Sequence, residues 1–135
     1  MFDAFLVPEK TVAVAKGDSN ALDVSAAKAR VFLVTLSITG IVEQEALDVL
    51  LFTSADGATW SPKPVTTFPQ QFYRGETPLL LDLSNQPEAR FVRAHWDVTR
   101  WGRGPETPMF EFHLSIKEVP PEILRQATAG ASIPQ

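Results

Sequence analysis

The chain contains no cysteine. That absence removes disulfides, thiolate metal sites, iron–sulfur clusters and cysteine nucleophiles, and it leaves stability to packing or assembly. Positive charge is also short: 12 Lys and Arg stand against 16 Asp and Glu, a formal net charge of -4. Bulk attraction to nucleic acid or to an anionic membrane is therefore not expected. No window approaches the roughly 20 consecutive apolar residues that span a bilayer. The opening MFDAFLVPEK has no basic leader and its apolar run is broken by Asp3 and Pro8, so it does not read as a signal peptide, and a cytoplasmic product is the simplest expectation. The GxSxG, P-loop, GxGxxG, HExxH and EF-hand spacings are all missing. No cofactor is implied.

What the sequence has is β-strand material. Its 135 residues suit one domain, and 44% hydrophobic with 21% charged residues is an ordinary globular balance. Eleven prolines and seven glycines fall mostly between short apolar runs, where they act as turn residues. The runs predict strands near 11–15, 21–25, 30–39, 46–53, 65–68 with 71–73, 79–83, 89–98 and 109–117. Seven or eight such strands define an antiparallel all-β sandwich or jelly roll. Pro78 is read as the start of the 79–83 strand. Pro121 and Glu122 suit the first turn of a short helix over 121–128. The expected organisation is an N-terminal arm over 1–10, the sandwich over 11–118, and a helix and tail over 119–135.

Alternation is clearest near the end. Val92, Ala94, Trp96 and Val98 share one face while Arg93, His95 and Asp97 share the other, and Phe110, Phe112, Leu114 and Ile116 alternate with Glu111, His113, Ser115 and Lys117. Read as a hairpin around Gly102–Gly104, the two runs place Trp96 near Phe110, Ala94 near Phe112 and Val92 near Leu114. Residues 30–39 are apolar on both parities, which predicts a strand covered on both faces, one by the opposing sheet and the other by Phe2–Val7 or by another subunit.

Few residues offer chemistry. Asp18, Asn20 and Asp23 resemble a calcium loop only loosely, lacking its glycine and terminal glutamate, and read better as a strand-capping turn; no metal site is expected. His95 and His113, beside Arg93, Asp97 and Glu111, have the composition of an acid/base cluster but the pattern of a solvated charge ladder, so no catalysis is expected of them. Trp101, between Arg100 and Arg103 at the expected hairpin tip, is the best binding candidate, either as an interface anchor or as a platform for a sugar ring. Phe2, Phe5, Leu6 and Val7 at one end and Ile123, Leu124 and Ile133 at the other read as apolar assembly arms, since neither segment is large enough to form its own core.

Two segments carry a resemblance. Ser54-Ala55-Asp56-Gly57-Ala58-Thr59-Trp60 gives S-x-D-G-x-x-W, and Ala89-Arg90-Phe91-Val92-Arg93 gives A-R-F-V-R. The pair is similar to the discoidin and galactose-binding-like β-sandwich families, and it resembles small β-sandwich structural proteins of tailed bacteriophages and prophages over about residues 21–117. Asp56-Gly57 reads as a tight turn whose glycine can take positive φ, so that Trp60 can fold its ring under the following chain. Arg90 and Arg93, on opposite parities, require that one lie at an edge or pair with a carboxylate. The resemblance implies a jelly-roll or galactose-binding-like sandwich that works without catalysis as a virion component: a head decoration, minor capsid or head-tail accessory protein. Its partners would be other virion proteins or copies of itself, after assembly in the bacterial host cytoplasm. The alternative it leaves is a carbohydrate-binding module using loop aromatics such as Trp101.

Overall fold

The computed structural model describes residues 3–41, 45–100 and 109–120. They form nine strands: β1 (Asp3–Ala13), β2 (Gly17–Asp18), β3 (Leu22–Asp23), β4 (Val31–Ile41), β5 (Glu45–Ser54), β6 (Thr66–Thr67), β7 (Gly75–Asp82), β8 (Phe91–Arg100) and β9 (Phe110–Glu118). One sheet has the order β1-β9-β4-β7. The other has β2-β8-β5-β6, with β3 also pairing to β8. All strand pairs are antiparallel, and the chain is an antiparallel β-sandwich. The two sheets are called the β4 sheet and the β8 sheet.

The core lies between them. From the β4 sheet come Phe32, Val34, Leu36, Ile38, Phe110, Phe112, Leu114 and Ile116; from the β8 sheet come Leu47, Val49, Leu51, Val92 and Ala94. All are inward parities of alternating strands, which is why polar and apolar residues interleave so regularly in β8 and β9.

The expected hairpin between the last two strands is not formed. β8 pairs with β5 on one side and with β2 and β3 on the other, while β9 is filled by β1 and β4. Each strand has its backbone partners in its own sheet, so the two meet face to face across the core. Trp96 accordingly packs edge-on against Phe112, with ring centroids 5.3 Å apart and an interplanar angle of 79°, rather than beside Phe110. It is only half-buried. Alternation named the inward face correctly; it carries no information on which strand lies opposite.

The N-terminal arm is also corrected. Residues 3–13 form the edge strand β1, so the expected boundary at residue 10 falls inside a strand. Leu6 and Val7 belong to the core at 3% and 1% exposure. Pro8, which interrupts the apolar run, sits in a register shift between Val7 and Thr11, where a bulge absorbs a residue that cannot donate to the ladder. The Thr11 hydroxyl donates to the Pro8 carbonyl at 2.7 Å, and Lys10 takes a φ of 66°. Because β1 lies beyond β9, it does not cover the outer face of β4. Phe2 lies outside the described residues.

Three smaller differences have local causes. The expected 21–25 strand shrinks to two residues because Asp23 Oδ1 accepts the Ser25 amide at 2.8 Å and its hydroxyl at 2.6 Å, turning the chain. β7 starts before Pro78 instead of after it, as an edge strand permits. Over 65–73 only Thr66–Thr67 is a strand; Gln71 adds one bridge to Leu47, and Phe72 and Tyr73 stand outside. The helix expected over 121–128 lies outside the described residues.

Candidate functional site

The two segments that carry the resemblance come together at one end of the β8 sheet. Ser54 closes β5 opposite Phe91, and the Arg90 amide donates to the Ser54 carbonyl at 2.9 Å. The Ser54 hydroxyl donates to the Thr59 carbonyl at 2.6 Å and accepts the Gly57 amide at 2.9 Å. Asp56 Oδ1 accepts the amides of Thr59 at 2.8 Å and Ala58 at 2.9 Å. Those two amides, and the Ser54 hydroxyl after them, hold the Asp56 carboxyl below its ordinary value. Gly57 has φ 81°, a region that side chains disfavour. Serine, aspartate and glycine thus build the turn itself.

Trp60 then lies against β8, its ring 4.4 Å from the Arg93 guanidinium carbon, a cation–π contact. Arg93 also has its Nε 3.8 Å from Asp18 Oδ1, and that Nε has no hydrogen-bond partner. Asp18 is shared: its Oδ1 is 2.9 Å from His95 Nδ1, while His95 Nε2 is 3.4 Å from Asp97 Oδ2. Trp60, Arg93, Asp18, His95 and Asp97 form one ladder across the outer face of the β8 sheet. Arg93 therefore meets a carboxylate, and Arg90 lies 5.8 Å over the Phe91 ring.

His113 is not part of this ladder. It lies on β9, on the outer face of the opposite sheet, with its ring 5.7 Å from that of Phe5. The two histidines, adjacent in the sequence reading, are separated by the thickness of the sandwich. Asp18 and Asp23 likewise do different work, one bound to His95 and the other to Ser25. Hydrogen bonds from Ser25 hold the Asp23 carboxyl below its ordinary value. Among the described residues no three histidine, aspartate or glutamate side chains are placed to hold a metal ion.

Two clefts flank the ladder. One of about 320 Å³ lies between the Ser54–Trp60 turn and the chain at Gln86, Glu88 and Ala89. Another of about 270 Å³ opens between β1 and the 18–22 segment, with Trp96 in its wall. The first sits at the bottom of the range for ligand pockets and the second below it.

Of the earlier candidates, Arg100 ends β8 opposite Glu45; Trp101 and Arg103 lie outside the described residues, as do Ile123, Leu124 and Ile133. Phe5 remains on the surface at 49% exposure. A feature the sequence reading missed is the pair Phe72–Tyr73, 40% and 80% exposed, ring centroids 6.4 Å apart, followed by Arg74. The signal was available: two consecutive aromatics in a period-2 strand would point to opposite faces, and Gln70, Gln71 and Arg74 around them supply no core. Compared with known proteins, the chain matches no protein-family model and no curated protein.

Proposed function

We propose that the chain is a non-enzymatic structural component of a tailed-phage or prophage virion, a head decoration, minor capsid or head-tail accessory protein, working through protein–protein contacts. The observation that carries this reading is Phe72-Tyr73-Arg74, two adjacent aromatics and an arginine presented to solvent in a connecting loop. Tyrosine and arginine dominate interface hot spots because they bury much area at low entropy cost and still satisfy polar partners. The S-x-D-G-x-x-W and A-R-F-V-R resemblance supplies the virion context. The polar groups of the β8 ladder are engaged with one another, which favours a role in holding the surface over a role in turnover.

The test is compositional. Purified tailed particles from the strain that encodes the chain should contain it at fixed stoichiometry, and Tyr73→Ala should fold normally yet be depleted from them. Particles lacking the chain overturn the reading. So does a broad substrate screen that finds turnover abolished by His95→Ala or His113→Ala.

A further inference from the structure

One edge of the β8 sheet is held by very little ladder. β2 meets β8 at Gly17 opposite Trp96 and Asp18 opposite His95. Beyond it the Ser19 amide donates to the Ala94 carbonyl at 2.8 Å and the Ala94 amide donates to the Ser19 hydroxyl at 2.9 Å. Residues 18–22 then form one wall of the cleft of about 270 Å³, with Leu6 and Val7 of β1 across from them and Trp96 also in its lining. So short a strand opens easily on its own, and side-chain contacts decide how firmly it lies down.

The side-chain contact that ties β2 to β8 runs from Asp18 to His95. The imidazole stands between carboxylates from two strands: Nδ1 is 2.9 Å from Asp18 Oδ1, and Nε2 is 3.4 Å from Asp97 Oδ2. Leu50 lies opposite it on β5, and the Phe52 ring meets it edge-on with centroids 6.4 Å apart. Arg93 has its Nε 3.8 Å from the same Asp18 oxygen. Asp48 stands opposite Asp97 on β5 and accepts the Gln70 side-chain amide at 3.0 Å. Asp18, Asp48 and Asp97 thus outnumber Arg93 around the ring, and proton uptake by His95 offsets part of that negative charge.

A neutral imidazole carries one N–H and one lone pair. Whichever nitrogen holds the proton, the other turns its lone pair on a carboxylate. The imidazolium donates from both nitrogens and serves Asp18 and Asp97 together. We infer that His95 is a pH-sensitive clasp: protonated, it ties Asp18 of β2 to Asp97 of β8 and holds the 17–22 edge down beside the cleft; neutral, it releases one of the two carboxylates and lets that edge open. The sign follows from which form is partnered. The clasp is complete where the ring is protonated and weakens as pH rises through the histidine range. The His95 side chain is 26% exposed, so protons reach it without unfolding. These contacts lie within one chain and hold whether or not the protein belongs to a virion.

Amide exchange of the full chain at about pH 5.5 and about pH 7.5, corrected for the intrinsic pH dependence of exchange, tests the clasp; histidine is the side chain that changes charge in this window. Protection of the Ser19 amide should fall by about two- to five-fold as pH rises, the range of an exposed ion pair. The Phe68 amide, which donates to the Val49 carbonyl at 2.9 Å on the far side of the same sheet, should keep its protection. His95→Gln should abolish the fall at Ser19, and His113→Gln, altering the ring that lies beside Phe5 on the opposite sheet, should preserve it. Asp97→Asn should abolish it as well, because an amide can donate to the unprotonated Nε2 and lets the neutral ring serve both partners. Should His95→Gln unfold the chain, Asp97→Asn decides. Equal Ser19 protection across the window, a rise with pH, or a fall that survives His95→Gln or vanishes in His113→Gln overturns the inference.

Discussion

The two outer faces of the sandwich solve the same problem in opposite ways. The β8 sheet faces outward with Arg93, His95, Asp97 and Asp18, which pair among themselves and with Trp60. The β4 sheet faces outward with a mixed band, in which Thr35, Ser115, Pro78, Leu33 and Leu80 lie between Glu76 and His113 on one side and Lys117 and Asp3 on the other. A charged face resists a partner, because docking would strip water from groups already matched internally. The contrast teaches that one alternating fold can carry a matched charge ladder on one outer face and a mixed apolar and polar band on the other.

The largest effect is expected where the two sheets share an interior. Phe112 is fully buried under the β4 sheet and meets Trp96 of the β8 sheet, so Phe112→Ala should cost about 3–5 kcal/mol. Trp96→Ala should cost less, since its ring is only half-buried. In a double-mutant cycle by chemical denaturation the pair should couple by about 0.5–1.5 kcal/mol; additive losses would separate the two layers energetically.

Next comes Gly17, at the edge of the β8 sheet. A Cβ there would stand 2.9 Å from the Trp96 indole, so Gly17→Ala should destabilise by about 1–3 kcal/mol through overpacking. A neutral result would show that β2 is free to lift away. Arg30, at φ 59°, donates through Nη2 to the carbonyls of Gln86 and Ala89, both at 2.7 Å. Arg30→Ala should cost about 1–3 kcal/mol by removing the donor from the Ala89 carbonyl and leaving the Gln86 carbonyl only the Ala89 amide at 3.0 Å, read as a lower thermal midpoint.

The charged face should matter least to stability. Asp18, His95 and Asp97 are a quarter to a half exposed, so His95→Ala should change stability by under about 1 kcal/mol, and a larger loss would make the ladder structural. The Asp56 turn gives a pH effect of known sign. Its carboxyl is held below the ordinary value, so its contribution is complete above that value and is lost as pH falls through the lowered one. Amide exchange at Ala58 and Thr59 should therefore show weakened protection only in acid, and protection that fails near neutrality would contradict the assignment.

The sequence by itself determined which residues face inward. The parities of Val92, Ala94, Phe110, Phe112, Leu114 and Ile116 were legible because burial repeats every second residue in a strand, and Asp56-Gly57 announced its turn because few residues tolerate that backbone. Tertiary structure decided the partners. It placed β8 and β9 in different sheets, drew Leu6 and Val7 into the core past Pro8, and sent His95 and His113 to opposite faces. Hydrogen-bond pairing between distant strands depends on which edges remain free once the others are satisfied, and a one-dimensional pattern of apolar and polar residues does not encode that competition.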